Sequence, residues 1–434
     1  MVRSLLYVIV LFRYEILKNK WVSNLSSFVL LFLFTFLLCG CVETPNPPPP
    51  PKKNVVIKNL NLIIESSESM KGFLAGGTEF QGTASDMAAF FDECEKKSLV
   101  VNDQYFSTDN TNIIPISDDA GTFIRLIKDG NVATGTNTPL DKFFKDIINL
   151  CDSTSIYGII SDFIYSPQNP SNLSQMSAEF QTIFNVAKQK GLTFSIYQYY
   201  SKFNGKYWDK TGKIHHLIKQ TRPYYIWFIG PENLMRLIND LILNEPQFRN
   251  GNQIHLGFNY DKVNWTVFDE STKLMDGSFL FEYGRINIMG SDSVLIPIGI
   301  GMSKLPYYFA GKQYLSKNLK IASKNGGRII INKIMDKMDY EAKLTDSDKQ
   351  KALNLNAPAI IQIKAVPASE ESYYILSLEK SMPNWFYDIS SDDDTQIEQA
   401  NRGKTFAFQY LVEGAIKALE DPNPVFKINL IVNK

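Results

Sequence analysis

The sequence predicts an α/β protein, a doubly wound, mostly parallel sheet followed by a β-rich second domain, and three observations carry that expectation. Between Val55 and Leu243, apolar strand-like runs alternate with amphipathic segments of helical length, the pattern of a parallel sheet with helices on both faces. From about Asn250 the texture changes to short runs rich in Val, Ile, Leu and Tyr, parted by Gly, Asn, Asp and Ser. At 434 residues, the chain is also too long for one ordinary domain.

The elements follow in order. Val55 to Ile64 reads as a buried strand. Ala84 to Lys97 has helical spacing, with Met87, Ala88, Phe91 and Cys94 on one side and Ser85 or Thr83 as cap. Tyr105-Phe106 closes a second strand, and Asp119 to Ile127 is a short helix. Leu140 to Leu150 is the next helix, followed by the strand Ile156 to Ser161 and the helix Met176 to Lys190, which Gly191 ends. Leu192 to Tyr199 and Tyr224 to Ile229 are strands, the latter leading into a helix from Pro231 to Leu243. Beyond lie strand-like runs at Ile254 to Tyr260, Ser278 to Tyr283, Val294 to Ile300, Arg328 to Ile331, Ala359 to Ile363 and Tyr373 to Leu378. A late helix, Phe406 to Leu419, and a last strand, Phe426 to Val432, complete the chain. The expected division is 54–249 for the sheet domain and 250–434 for the β-rich one.

Residues 1–41 read as targeting. Ser26 to Leu38 is an apolar run preceded by Lys18 and Lys20 and ending in Leu38-Cys39-Gly40-Cys41, the build of a secretory signal peptide. The run is short for a membrane span, which needs about 20 residues. Its last four residues resemble a bacterial lipobox. That resemblance implies lipidation of Cys41, which has Gly40 before it, in preference to Cys39. Residues 42–53 hold Pro47 to Pro51, and polyproline forms an extended spacer. The expectation is a body tethered to a membrane through a lipid, on the cell envelope.

Formal net charge is zero, with 45 basic and 45 acidic residues, so no global field favours nucleic acid. Past the targeting segment only Cys94 and Cys151 remain; both fall among apolar neighbours and read as buried free thiols rather than a disulfide.

Three short stretches carry the chemistry: Glu65-Ser66-Ser67-Glu68-Ser69, Thr136-Asn137-Thr138-Pro139 and Ser161-Asp162. Each sits where an expected strand stops or a helix begins. Together they offer hydroxyl and carboxylate oxygens, which a hard cation such as Mg²⁺ or Ca²⁺ prefers. In order and spacing they resemble the von Willebrand factor type A family and its metal-ion-dependent adhesion site. In that family the first loop reads Asp-x-Ser-x-Ser. The resemblance implies Ser67, Ser69, Thr138 and Asp162 as metal-site residues, with Glu65 at the acid position and Phe163 where a glycine often follows. It also implies binding rather than catalysis: a Mg²⁺, Ca²⁺ or Mn²⁺ ion with one position left for a carboxylate from a partner protein. Two alternatives stand beside it: an ion-free type A scaffold in an envelope complex, and a glycan-binding or hydrolytic role for residues 250–434.

Other constellations read as structural. His215-His216 has no zinc spacing and suits an exposed turn. Asp392-Asp393-Asp394 lacks the rest of a calcium loop and suits a solvated helix cap. The aromatics between Tyr197 and Trp227 suit a core.

Overall fold

The strand β1 (Ile57–Ile64) organises a seven-stranded sheet in the order β3-β2-β1-β4-β6-β5-β7. Its partners are β2 (Val100–Asp109), β3 (Asn112–Ser117), β4 (Ser155–Ser161), β5 (Leu192–Trp208), β6 (Ile214–Pro231) and β7 (Asn252–Leu256). This computed structural model describes residues 56–434, apart from 110–111, 133–134, 136–137, 166–172, 261–262, 369 and 400. The apolar targeting run, Cys41 and the proline spacer lie outside the described residues.

The expected parallel character resides in the block β2-β1-β4, where β1 pairs parallel with both neighbours. The remaining pairings are antiparallel, so β5 shares the direction of the block while β3, β6 and β7 oppose it. The departure has a local cause. The runs expected at 192–199 and 224–229 are two arms of one long hairpin, and β6 rather than β5 lies against β4. Asp209 to Gly212 is its turn, with Gly212 at φ 81°, a conformation that glycine adopts without strain.

Both faces of the sheet are covered. On one, Leu60, Leu62, Ile160, Ile226 and Phe228 pack under α1 (Glu79–Lys96), α2 (Ala120–Asp129) and α5 (Glu232–Asn244). On the other, Ile63, Ile159, Phe194 and Trp227 meet α3 (Leu140–Leu150), α4 (Leu173–Gln189) and α6 (Phe408–Leu419). Each such large apolar side chain contributes about 1.5–3 kcal/mol on burial. Helix α1 starts at Glu79, five residues ahead of the expected Ala84, and neither Ser85 nor Thr83 caps it. Thr78 and Gln81 form a capping box there, each side chain accepting the other's amide.

The second half adds two larger sheets and one two-stranded sheet. Its strands are β8 (Trp265–Val267), β9 (Ser278–Glu282), β10 (Arg285–Met289), β11 (Val294–Ile300), β12 (Leu319–Ser323), β13 (Arg328–Asp336), β14 (Ala359–Val366), β15 (Glu371–Leu378), the short pair β16 (Ser390–Ser391) and β17 (Thr405–Phe406), and β18 (Phe426–Asn433). One sheet runs β12-β15-β18-β10-β9 and the other β13-β14-β11-β8. Ile286, Ile296, Ile361, Leu376 and Ile428 from the two sheets join a single apolar cluster that continues under α5. The chain from Val55 onward is one compact unit. Strand β7 completes the first sheet and α6 covers it, so a division at 249/250 would part a shared sheet and a shared core. Among the described residues no helix is long and apolar enough to cross a membrane.

Candidate metal centre

The cleft forms at the carboxyl ends of β1 and β4. Ile64 is paired with Ile160, and Glu65 N extends that ladder by donating to Ile160 O at 3.0 Å. Because the chain leaves β1 for β2 on one side and reaches β4 on the other, the strand order reverses here, where open α/β sheets leave a crevice.

Glu65 is 2% exposed and has its carboxylate turned back onto its own loop. Oε1 accepts from Ser67 N at 2.7 Å and from Thr138 Oγ1 at 2.6 Å, while Oε2 accepts from Ser67 Oγ at 3.0 Å and Ser161 Oγ at 3.4 Å. Ser67 Oγ lies 3.0 Å from Ser69 Oγ, which donates to Asp162 Oδ2 at 3.1 Å. The five residues named from the sequence thus form one chain of contacts, Thr138–Glu65–Ser67–Ser69–Asp162, drawn from three loops. They line a cleft of about 230 Å³ that Tyr207 and Trp208, from the far end of β5, close on one side.

Two carboxyl groups in so dry a place raise each other's cost of ionising. Burial and then the Asp162 charge push the Glu65 carboxyl up to about 7, against the hydrogen bonds from Thr138 and Ser67. Burial also raises Asp162, which the Ile164 amide, the Ser69 hydroxyl and the charge of Arg222 pull back. Oxygen donors of this kind, neutral hydroxyls beside two acids, fit a hard divalent cation: a dication is what would let both acids stay ionised.

Neighbours the sequence reading did not name support the loops. Ser66 N donates to Thr108 Oγ1 at 3.0 Å, and Thr108 Oγ1 lies 3.4 Å from Thr138 Oγ1. The missed signal is the length of β2, which runs on past Phe106 to carry Thr108 behind the loops of the cleft. Ser69 sits in a 3₁₀ turn, Glu68–Gly72, that lies on the hairpin so closely that a Cβ on Gly72 would meet the Phe203 ring at 2.3 Å. After Asp162, Phe163 takes φ 48°, the left-handed conformation that glycine favours and that costs other residues of order 1 kcal/mol. Its ring offsets that cost by packing 5.2 Å from Trp227 and 5.8 Å from Phe144, between centroids.

Two expectations outside the cleft need correction. His215 is no exposed turn residue: it is buried on β6 between Asp209 Oδ2 at 2.8 Å and Glu398 Oε1 at 3.3 Å, while His216 faces out. Asp394 is no solvated cap either. It is 1% exposed and accepts from Tyr207 O–H at 2.7 Å and Lys210 N at 2.9 Å, so residues 392–398 clasp the tip of the hairpin. Cys94 and Cys151 are buried free thiols.

A second acidic group, Asp269, Glu270 and Asp348, brings carboxylate oxygens within 4.8 Å of one another and could hold a metal ion. Lys351 Nζ already stands 2.7 Å from Asp269 and 2.8 Å from Asp348, supplying a cation of its own. A larger cleft of about 580 Å³ lies beside α5, and much of its charge is spent internally. Arg236 bonds Glu232 at 3.1 Å and the Lys304 carbonyl at 3.3 Å, and His255 Nδ1 lies 2.8 Å from Ser195 Oγ. No protein-family model, no curated protein and no solved structure matches the chain.

Proposed function

We propose that the chain is an envelope lipoprotein, anchored through Cys41, whose type A-like half binds a partner protein through a divalent cation of the Mg²⁺ class held by Ser67, Ser69, Thr138, Asp162 and Glu65. The observation that supports this reading is the converging chain of hydroxyl and carboxylate oxygens from three loops, at the sheet's crevice, with two buried acids in it. Bound there, a cation supplies a strong, directional attraction for a carboxylate of the partner in a partly dry cleft. Tyr207 and Trp208 limit access from the hairpin side. Glu65, longer than the aspartate of the resembling family, reaches back to the Ser67 amide and fixes the first loop.

The test is calorimetric titration with Mg²⁺, Mn²⁺ and Ca²⁺. The wild type should bind one of them and Asp162→Ala should lose that binding while keeping its fold. A second reading, an ion-free scaffold, draws support from the closed hydrogen-bond network, in which each proposed ligand already has a partner. A wild type that takes up no cation, and whose melting ignores EDTA, selects the scaffold.

A further inference from the structure

Arg222 is the one residue near the cleft whose placement the cation reading leaves unexplained. It sits on β6, 2% exposed, and among the described residues it forms no ion pair; its Nη1 is sealed from solvent with no acceptor. Burying an uncompensated guanidinium costs several kcal/mol, so a charge that balances it is expected close by. The β4–β6 register sets Ser161 opposite Tyr225. Running that register on brings Arg222 alongside the turn that follows Asp162. The guanidinium lies 4.7 Å over the ring of Tyr207, and Tyr207 lines the same cleft as Asp162 and Glu65. The ring is a shelf, not a charge. The field of Arg222 falls on Asp162, and on the phenols of Tyr207 and Tyr225, whose ionisation burial opposes and Arg222 favours.

We propose that Arg222 is a built-in counter-cation of the cleft: its fixed charge balances the Asp162 carboxylate when no metal is held there, competes with a metal for it, and so sets how tightly the cleft takes a divalent cation. Only the competition rests on the cation reading above; the balancing of Asp162 stands without it. An arginine suits the task because its charge is permanent and its planar group stacks on an aromatic ring.

The experiment uses the full chain with Arg222→Met, which removes the charge at similar length, Arg222→Lys, which keeps it, and each combined with Asp162→Asn. Melting is measured in EDTA, and MnCl₂ binding by calorimetry. In EDTA, R222M should lower the melting temperature more in the wild type than in D162N, and R222K should couple as the wild type does. Equal losses in the two backgrounds would overturn the balancing role. Mn²⁺ should bind R222M at least about tenfold tighter than the wild type, the order expected for a unit charge several ångströms from a dication at an effective dielectric of about 20–40. Unchanged affinity in folded R222M overturns the competition. Should R222M fail to fold, Arg222→Gln, which keeps hydrogen-bonding capacity without charge, takes the same two tests. If neither wild type nor R222M binds Mn²⁺, the cation reading and the competition fail together, and the melting cycle still decides whether Arg222 balances Asp162.

Discussion

Replacing Glu65 with Gln probes the electrostatics of the cleft directly. The side chain keeps its shape: the amide oxygen can accept from Ser67 N and Thr138 Oγ1, as Oε1 does now. The amide nitrogen can donate to the hydroxyls of Ser67 and Ser161, which rotate to receive it. What changes is the charge. In the ion-free protein Glu65 titrates near 7 instead of 4.5, so the folded state holds its proton more tightly than the unfolded state does. That preference stabilises the fold in full below about 4.5 and is lost as the pH rises through about 7. A shift of this size is worth about 3 kcal/mol, most of it lost between pH 5 and pH 8. A body of this length has an unfolding entropy of about 0.8 kcal/mol per kelvin, so the loss is about 3 °C. Melting in EDTA should therefore show E65Q gaining about 3 °C on the wild type between pH 5 and pH 8, with all other titrations common to both. Millimolar Mg²⁺ at pH 8 should then raise the wild type, since a ligand bound only to the folded state adds about 2.7 kcal/mol at a hundredfold excess over its dissociation constant, and leave E65Q unmoved. A melting difference that stays constant from pH 5 to pH 8 would refute the argument that Glu65 carries a buried, unneutralised charge.

Three further outcomes can be checked. Gly72→Ala should cost about 1–3 kcal/mol and weaken cation binding, because the added methyl overlaps the buried Phe203 ring and must lift the turn that carries Ser69; unchanged melting would mean that the turn yields freely. Cys41→Ser should release the protein from the membrane fraction, and release by Cys39→Ser instead would move the lipid. Limited proteolysis should nick the segment between Leu243 and Gln253, but the fragments should co-elute until denaturant is added, since β7 stays paired with β5 and α6 stays packed on the sheet. Fragments that part in native buffer would point to two independent domains.

Sequence patterning located the cleft better than it located the fold around it. Glu65, Ser67, Ser69, Thr138 and Asp162 were legible because each follows or precedes an apolar run whose end is sharp, and oxygen-bearing residues at such ends stand out against the core. The same alternation placed β1, α3 and β11 within a residue or two. It failed at the hairpin. Period alone does not separate a buried parallel strand from the buried half of a long antiparallel one, and Tyr224 to Ile229 is apolar throughout because both faces of β6 are covered. The sequence alone makes His215 and Asp394 look solvated, because polar residues near a turn usually are. Glu398, the second partner of His215, and Tyr207, the partner of Asp394, lie far away in sequence, where no local pattern reaches. Arg222 was invisible for the same reason: its interest lies in what does not pair with it.

The late helix α6 has a bearing on when this protein becomes folded. Phe408 stacks on Tyr225 at 3.9 Å between centroids, and Leu411, Val412 and Ala415 continue the cover over the face that holds Trp227. A chain made from its N-terminus has every strand of the first sheet in hand long before this lid is synthesised, and pairings so distant in sequence form slowly. Until residue 419 is free, that face has only α3 and α4 to cover it, and the patch around Tyr225 lacks the Phe408 stack. For a chain proposed to be threaded unfolded across a membrane, such a delay works as a timer: the helix that closes this face arrives after every strand of the sheet beneath it.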